Sequence, residues 1–347
     1  MQSAKTFPGG EKPVLSQKWL LLGGTGTIST SLMKLLAAHH MEVACINRGS
    51  RPLPPGVEQI TCDVNDGTAM AAALEGRSFD VVADFLTYGP DQARTRVEQF
   101  LGKCGRYVFI STAMTYEKPP RTMPVSEQTP QDNPYSPYAQ NKIRCEAIFR
   151  QAYKTQGFPL TIIRPSCTYG DERVPFVMTP MDKPNTLLRR LRAGKPIVVP
   201  GDGSVFWTIT HSSDFARALM ALMQSPDTLG EDFHITQDEC MTWDAFAAVI
   251  AQAAGAPAPK IVHVTTDDLV REKEALRQDL LGDMAQTAIF DNSKLRRFVP
   301  GFRFNVPYRD GVRESIRNVD ARPELQGIDE EWDAWVDGLV AKYGQGR

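Results

Sequence analysis

Tyr138 and Lys142 are the residues of this sequence whose types and spacing most directly predict chemistry. Because four positions separate them, they share one face of a helix. A free tyrosine ionises near pH ~10, but a nearby ammonium group and an oxidised nicotinamide would both favour the phenolate. The pair is therefore predicted to move a proton at neutral pH. Many surface helices contain this spacing by chance, so its weight comes from the glycine loop and the strand end that precede it.

The glycine loop is Gly23-Gly-Thr-Gly-Thr-Ile-Ser29, which follows an apolar run and opens a helical pattern, as a dinucleotide loop requires. Gly23 permits a tight turn, and Gly26 lets the backbone approach a pyrophosphate at the positive end of the helix dipole. Ser29 stands where a third glycine is usual, and its small side chain still allows close packing. A glycine turn without a ligand is the alternative. The predicted cofactor contacts of the loop are Gly23, Thr25, Gly26, Thr27 and Ile28.

Arg48 bears on the choice of nicotinamide cofactor. The second predicted strand ends in Asn47-Arg48-Gly-Ser50-Arg51, where an NAD-specific fold places Asp or Glu against the adenosine ribose. Arg48 can instead pair with a 2'-phosphate, with Arg51 or Ser50 helping, or it can stack on adenine and leave NAD acceptable. The sequence favours NADP over NAD. Asp63 is placed either to accept a hydrogen bond from the adenine amino group or to cap the next helix.

These residues sit in a regular alternation of short β-like runs and helix-length segments, the pattern of βαβ units and a parallel sheet. Right-handed crossovers then place helices on both faces. We predict an α/β fold, a Rossmann-type doubly wound parallel sheet with a smaller C-terminal α/β substrate lobe. The predicted strands are 19–22, 42–46, 59–61, 81–85, 107–111 and 160–164, and the predicted helices are 29–39, 67–74, 90–101 and 137–155.

The rhythm breaks after Pro165, where prolines punctuate loops between short runs. We predict a flexible N-terminal arm over residues 1–17, an NAD(P)-binding Rossmann domain over 18–170, and mostly a substrate-binding lobe with a C-terminal helix over 171–347. A strand and helix at about 205–225 are expected to return to the Rossmann domain. The patterns assigned to the second lobe are the β-like runs 197–199 and 232–235 and the helices 214–223 and 242–254.

Charge and cysteine usage exclude several classes of function. The formal net charge of -2 at pH 7 leaves no basic field of the kind that binds a phosphate backbone, so no nucleic-acid partner is expected. The six cysteines lie far apart without a C-x-x-C pair, which predicts thiols in a reducing cytoplasm and no metal site. The apolar run 19–22 is too short to span a membrane, and no membrane partner is expected.

Together these residues resemble the extended and atypical short-chain dehydrogenase/reductases, in particular the epimerase/dehydratase branch that includes UDP-galactose 4-epimerase. The resemblance extends from about residue 18 to the region of residue 310. The landmarks that fall in family order are the glycine loop, Asp63, the strand end 109–116, the Tyr138/Lys142 pair, Arg164-Pro165 with Tyr169-Gly170, and Gly201-Asp-Gly203 leading to Asp214-Phe-Ala216.

The resemblance implies roles by position. Thr112 would hydrogen-bond the substrate oxygen, Tyr138 would be the catalytic acid/base, and Lys142 would bind the ribose and polarise Tyr138. Ser111 would contact the cofactor or support the strand end. The remaining implied cofactor contacts are Asn47, Arg48, Asp63, Val64, Phe85 and Pro165. The candidate substrate contacts are Tyr88, Tyr116, Cys167, Arg173, Phe176, Trp207 and His211, of which Trp207 and His211 are of types more often structural.

Departures from the family pattern narrow the substrate. Dehydratases of the family usually carry an acidic residue after the catalytic Ser/Thr, whereas Ala113 and Met114 follow Thr112, which disfavours a 4,6-dehydratase. Relatives that bind nucleotide diphosphate sugars usually have Arg where this chain has Trp207 and Asn where it has Cys167. Because a buried diphosphate needs cationic or amide partners, a free or simply substituted sugar or polyol is expected. The alternative cations are Arg173 and the Arg189/Arg190 pair.

The predicted function is hydride transfer between a nicotinamide and a secondary alcohol or ketone of a sugar-like substrate, by an NAD(P)-dependent epimerase or dehydrogenase/reductase. A nucleotide-sugar 4-epimerase is one alternative. A rival of another class is a non-catalytic or RNA-associated protein, since the chain also resembles the chloroplast stem-loop-binding branch of the atypical family. As in similar proteins, helices 90–101 and 137–155 are expected to pair across a two-fold axis, giving a homodimer with an apolar four-helix contact.

Overall fold

The computed structural model describes residues 17–180 and 182–344, so the arm predicted over residues 1–17 lies, apart from Gln17, outside the described residues. The strands are β1 (Lys18–Leu22), β2 (Glu42–Asn47), β3 (Val57–Thr61), β4 (Phe79–Asp84), β5 (Cys104–Ile110), β6 (Leu160–Pro165), β7 (Cys167–Tyr169), β8 (Ile197–Pro200), β9 (Phe206–His211), β10 (Asp232–Ile235), β11 (Cys240–Thr242) and β12 (Ile261–Val264). The helices are α1 (Thr27–Ala38), α2 (Gly67–Ala73), α3 (Pro90–Phe100), α4 (Pro137–Gln156), α5 (Asn185–Arg192), α6 (Ser212–Leu222), α7 (Trp243–Ala253), α8 (Thr266–Glu272), α9 (Arg277–Asp279), α10 (Ser293–Phe298), α11 (Tyr308–Ala321) and α12 (Glu330–Tyr343).

Seven strands form one parallel sheet in the order β3-β2-β1-β4-β5-β6-β10. Residues 19–22 of β1 are fully buried, because helices cover both faces of the sheet. On one face Leu36 of α1 and Leu219 of α6 belong to one apolar cluster, and on the other Phe100 of α3 and Phe149 of α4 belong to a second. The predicted doubly wound Rossmann-type fold is confirmed. The strand order turns back between β1 and β4, and the carboxyl ends of these strands border the crevice where such folds bind ligands.

The second lobe corrects one prediction. The strand expected near residue 205 to return to the Rossmann domain is β9, and it pairs instead with β7 and β11 in a separate three-stranded sheet. The helix that follows it, α6, does pack on the Rossmann sheet beside α1. The strand that completes the main sheet is β10, which the sequence pattern assigned to the second lobe and which pairs with β6. The two short runs have no local feature that distinguishes which sheet edge each will join.

The second lobe is held by its own apolar cluster. Trp207 of β9 stacks on Trp243 of α7, with ring centroids 5.6 Å apart and an interplanar angle of 28°. Val336 and Leu339 of α12 are buried in the same cluster, so the last described helix docks on this lobe. In the described ranges, no helix is long and apolar enough to cross a membrane, and no group of three or more His, Cys, Asp or Glu side chains could hold a metal ion. All six cysteines are free thiols.

The exposed surface of α3 is polar, whereas an apolar dimer contact was predicted for this helix. Its solvent-facing residues include Asp91, Arg94, Thr95 and Glu98, all exposed and polar. The apolar side chains of this helix, such as Val97 and Phe100, are directed into the core instead. The predicted apolar character of a four-helix contact is therefore wrong on the α3 side, because the apolar stripe of α3 is already used to cover the sheet.

Candidate active site

The glycine loop connects β1 to α1 at the crevice. Gly23 has a φ of +82°, and a Cβ atom there would lie 2.7 Å from Cγ of Leu86, in the turn after β4. Both the positive φ and the close approach require glycine. The backbone of Phe85 is fixed beside the loop, since its N–H donates to Leu22 O at 3.1 Å. The glycine loop and the turn after β4 are therefore packed directly against each other.

Ser29, at the position of the usual third glycine, closes back on the loop. Its Oγ accepts from the N–H of Gly26 at 3.1 Å and donates to Gly26 O at 3.3 Å. The side chain is 2% exposed and fits between helix and strand. The serine therefore replaces the close packing of a glycine with a pair of hydrogen bonds that fix the start of α1.

A cleft of about 480 Å³ lies beside this loop. Its lining combines loop residues with cationic side chains and includes Thr25, Gly26, Thr27, Lys34, Arg51, Arg173 and Arg322. The first N–H groups of a helix have no acceptor within that helix, and they favour an anion. Arg51 also donates from NH1 to Thr25 O at 3.4 Å. Three carboxylates, those of Asp171, Glu172 and Asp182, also line the cleft, so the donors that a pyrophosphate requires come from the loop and the start of α1 rather than from the lining as a whole.

The residues predicted to hold the adenosine end lie on the next loops. Arg48 is exposed, while the Asn47 Oδ1 accepts from the N–H of Gly49 at 2.7 Å and shapes the turn after β2. Asp63 is exposed, its carboxylate accepts only from the N–H of Asn65 among the described residues, at 2.9 Å, and Val64 after it is buried. The alternative cap role for Asp63 is wrong, because Asp66 caps α2 by accepting from Thr68 and Ala69. Asp63 and Arg48 therefore remain available to a ligand.

Lys142 is buried in α4, with 1% of its surface exposed. Its Nζ donates to Thr87 O at 2.7 Å and to Ile110 O at 2.8 Å, and lies 4.8 Å from the ring centroids of both Tyr88 and Phe109. No carboxylate within the described ranges forms an ion pair with it. Burial is the main cause that lowers the pKa of Lys142 to about 8, which the negative charge of Asp84 only partly offsets.

A second cavity, of about 270 Å³, opens where β5 and β6 end. It brings together six residues that the sequence singled out, Ser111, Thr112, Tyr138, Pro165, Cys167 and Trp207. Tyr138 and Thr112 both line this cavity, so two side-chain hydroxyl groups border the same space. The remaining lining is contributed by Ala113, Met114, Ser166, Thr168, Asp283, Met284, Ala288 and Phe290.

The protein surroundings of the Tyr138 phenol raise its pKa. Burial is the main cause that raises the pKa to about 12, and the neighbouring Thr112 hydroxyl opposes the shift only in part. The ammonium of Lys142 lies 5.8 Å from the Tyr138 ring centroid and is turned towards two backbone carbonyls. At neutral pH the phenol therefore holds its proton and is set up to donate it.

Ser111 lines the cavity and also stabilises the end of β5. Its Oγ donates to Oε1 of Glu146 at 2.6 Å, and Arg164 grips the same carboxylate through Nε and NH2, at 2.9 and 2.6 Å. Gln131 adds a fourth bond at 3.0 Å. All four donors converge on a side chain that is 1% exposed, so this network fixes β5, β6 and α4 relative to each other.

Several predicted substrate contacts lie away from this cavity, and those predictions are corrected. Tyr116 is buried and hydrogen-bonded to Arg164 and His234, because β10 brings His234 beside it. Phe176 is packed edge-on against Trp243 in the second core. His211 caps α6, with Nδ1 2.7 Å from Ser213 Oγ, as its structural alternative proposes. Arg173 lines the cleft beside the glycine loop instead.

Tyr88 and Trp207 occupy intermediate positions. Tyr88 is 48% exposed, and its ring centroid is 6.4 Å from that of Tyr138, so it stands beside the catalytic candidate at the surface. Trp207 lines the cavity but is 1% exposed. Its indole N–H has no acceptor at ordinary distance among the described residues, and the thiol of Cys167, a weak acceptor, is its polar neighbour.

Two polar residues of the site were missed by the sequence interpretation. Asp283 lines the cavity from a π-helical turn over Leu280–Met284, and Asn133 joins the two walls, donating from Nδ2 to Met114 O at 2.7 Å and to Gly282 O at 2.8 Å. Burial raises the pKa of Asp283 to about 6. Neither residue belongs to a periodic pattern or a known spacing. The sequence offered one weak indication, which was that Asp283 is a carboxylate of the second lobe to which no role had been assigned.

Comparison with known proteins places these features in a family. The model of the NAD dependent epimerase/dehydratase family matches residues 19–236. The chain is 28% identical to "Chloroplast stem-loop binding protein of 41 kDa b, chloroplastic" from Arabidopsis thaliana, over 94% of this chain and 78% of that protein. It is 26% identical to 2'-dehydrokanamycin reductase from Streptomyces kanamyceticus, over 69% and 67% of the two chains. UDP-glucuronic acid 4-epimerase from Bacillus cereus, solved with UDP-glucuronic acid and NAD, shares the fold with a TM-score of 0.68 at 18% identity, over 88% of this chain and 99% of that one.

Proposed function

Because the chain belongs to the NAD-dependent epimerase/dehydratase family and is an enzyme of the extended short-chain dehydrogenase type, we propose that it interconverts a secondary alcohol and a ketone on a sugar-like substrate, with Tyr138 as the acid/base. The observation that carries this proposal is the meeting of the Tyr138 and Thr112 hydroxyls in one cavity above Lys142. When bound, the nicotinamide gives or takes the hydride. The loop residues Gly23, Gly26 and Thr27, with Asp63 and Lys142, would hold it.

The chain's own residues then have distinct tasks. Thr112 donates to the substrate oxygen and orients it, while its Oγ1 also accepts from the N–H of Met114 at 3.2 Å, which fixes the rotamer. Tyr138 gives its proton to that oxygen when a ketone is reduced. Because its pKa is raised to about 12, the phenol is protonated at neutral pH and has a proton to give when a ketone is reduced. Lys142 supplies positive charge that stabilises the phenolate left behind.

We propose that the cofactor is NADP, with Arg48 as the discriminating residue. Arg48 is exposed at the end of β2, and the carboxylate expected in an NAD-specific site is missing from that loop. Arg48→Ala should weaken NADP binding roughly tenfold to a hundredfold and NAD binding much less, since a charge-assisted contact is lost only with the 2'-phosphate. Calorimetry measures both constants. Equal losses would show that Arg48 only stacks on adenine.

The proposed substrate is a free or simply substituted sugar or polyol. Trp207 and Cys167 line the cavity where an arginine and an asparagine would hold a sugar diphosphate in similar enzymes. A related enzyme, 2'-dehydrokanamycin reductase, is named for a kanamycin derivative. The proposed Trp207 contact is with the apolar face of the sugar.

We also propose a cytoplasmic homodimer without a nucleic-acid partner. Support comes from the free thiols, the net charge of -2, and the neighbouring helices α3 and α4, whose exposed faces would meet through polar contacts. Light scattering over micromolar concentrations tests the dimer, and a monomer throughout would refute it. A gel-shift assay with a stem-loop RNA tests the rival RNA-associated function, which the name of the Arabidopsis relative motivates.

The catalytic assignment is tested by Tyr138→Phe, which removes only the proton-transferring hydroxyl. Turnover should fall by about 10²- to 10⁴-fold, while cofactor binding, followed by fluorescence quenching, should change little. The matched control is Tyr153→Phe, which removes a hydroxyl from an exposed tyrosine on the same helix, outside both cavities, and should leave turnover nearly unchanged. Near-native turnover in Tyr138→Phe would refute the assignment.

A further inference from the structure

The substrate cavity carries a single charged lining residue in the described part of the chain. Of its fourteen lining residues, only Asp283 is ionisable below neutral pH, and none is arginine, lysine or histidine. The other lining groups are hydroxyl, thiol, thioether, aromatic or aliphatic side chains. Any charge on a substrate would therefore meet one carboxylate first.

Asp283 is held in place rather than lying on a loose loop. It belongs to the π-helical turn Leu280–Met284, a rare conformation that is frequent at functional sites. The carbonyls on either side of it are both fixed, because Gly282 O accepts from Asn133 Nδ2 at 2.8 Å and Met284 O accepts from Trp243 Nε1 at 2.9 Å. The turn thus presents the carboxylate from a rigid wall.

The partner of Asp283 stands behind it. Lys118 Nζ approaches Oδ1 at 3.4 Å, and the side chains are 4% and 18% exposed, respectively. Lys118 does not line the cavity, and Oδ2 of Asp283 accepts no hydrogen bond from the described residues. The lysine opposes the rise in the pKa of Asp283 that burial causes, so the carboxyl, with a pKa of about 6, is mostly ionised at neutral pH, and one of its oxygens remains free for a donor.

We propose that Asp283 is a specificity residue that selects a substrate carrying an uncharged or positively charged hydrogen-bond donor, a sugar hydroxyl or ammonium, and rejects phosphate or carboxylate at this position. The free oxygen accepts from the hydroxyl or ammonium group. A phosphate would face a like charge in a partly desolvated space with no cation in the lining to pair it, which costs affinity. This inference depends on the proposed function, because it takes the cavity as the substrate site.

Matched ligands on one sugar frame test the proposal. Glucose, glucosamine, glucose 6-phosphate and UDP-glucose are titrated calorimetrically into the full chain saturated with its nicotinamide. Glucose and glucosamine should bind, glucosamine at least as tightly as glucose, and both phosphorylated ligands should bind at least about tenfold more weakly. Comparing the affinities for glucose and glucosamine shows whether Asp283 prefers a hydroxyl or an ammonium donor.

Variants assign the effect to the carboxylate. Asp283→Asn should reduce the preference for glucosamine over glucose 6-phosphate by about tenfold or more, and Asp283→Lys should reverse it. The matched control is Asp279→Asn, which removes a charge one turn earlier on an exposed residue outside the cavity and should leave the preference unchanged. Because Asp283→Asn strands a buried Lys118, the double variant with Lys118→Gln repeats the measurement without an unpaired charge.

An unchanged preference in Asp283→Asn and in the double variant would overturn the proposal. Phosphorylated ligands binding as tightly as glucosamine to the native chain would also overturn it, as would no sugar binding up to tens of millimolar with cofactor bound. Failure of the proposed function has a separate signature, since the nicotinamide itself would then not bind. Cofactor binding is therefore measured first in every variant.

Discussion

Lys142 and Glu146 lie one turn apart on α4, both about 1% exposed, and their surroundings differ completely. The Glu146 carboxylate receives four hydrogen bonds, from Ser111, Gln131 and twice from Arg164. The Lys142 ammonium has two backbone carbonyls and no described ion-pair partner. A buried charge that is fully paired stabilises one structure, whereas one with a free donor is available to a ligand. On adjacent turns of α4, Glu146 therefore has a structural charge and Lys142 has the charge that is available for function.

The largest effect should come from Arg164→Met. This change removes two hydrogen bonds from the buried Glu146 carboxylate and the ion pair with Asp232, and leaves Glu146 only one cation, the distant Arg150 at 3.7 Å, so the free energy of unfolding should fall by about 3–5 kcal/mol. Urea unfolding followed by circular dichroism measures it. The double variant Arg164→Met with Glu146→Gln should recover a large part of the loss, because no unpaired charge remains. If the free energy of unfolding of Arg164→Met fell by less than about 1 kcal/mol, Glu146 would not be a stabilising charge and would not differ from Lys142 in this respect.

Lys142→Met should change how stability depends on pH. The pKa of Lys142 is about 8 in the folded chain and near its ordinary 10.5 in the unfolded chain, which therefore binds more protons between these values. The free energy of unfolding of the native chain should consequently rise with pH in this window, by on the order of 3 kcal/mol from this group. The variant should lack that rise. Subtracting the two curves removes the other lysines and tyrosines, and parallel curves would contradict a lowered pKa.

Ser111 and Thr112 offer the smallest and sharpest comparison. Ser111→Ala removes one of four bonds to Glu146 and should cost about 1.5 kcal/mol of stability, with turnover reduced modestly. Thr112→Ala should cost about 0.5–1 kcal/mol of stability, because the N–H of Met114 loses its acceptor, and should reduce turnover by about tenfold or more, since the Thr112 hydroxyl lines the cavity with Tyr138. Chemical unfolding and steady-state kinetics on both variants decide it. The reverse pattern would exchange the proposed roles of the two residues.

The sequence predicts well those parts of the molecule that depend on nearby residues. The alternation of apolar runs and helical segments up to β6 specifies the doubly wound sheet, and the Tyr138/Lys142 spacing on α4 specifies which side chains share a face. Parts that depend on long-range packing were not predictable in this way. Asp283 lines the cavity on a turn whose Gly282 carbonyl accepts a hydrogen bond from Asn133, and these two segments lie far apart in the chain. Tyr116 was expected at the substrate because nothing local shows that β10 places His234 against its hydroxyl.

The late position of β10 has a consequence for how the protein is made. On the ribosome, β6 is synthesised well before residues 232–235, and until these residues emerge it remains an open edge of the sheet. Such an edge, with every side chain from Leu160 to Pro165 buried in the finished protein, is a template for pairing with other chains. The Rossmann sheet of the growing chain therefore lacks its last strand while the segment between β6 and β10, which contains β7, β8 and β9, is translated. Chaperone capture, or temporary cover by the second lobe, would protect the growing chain during that interval.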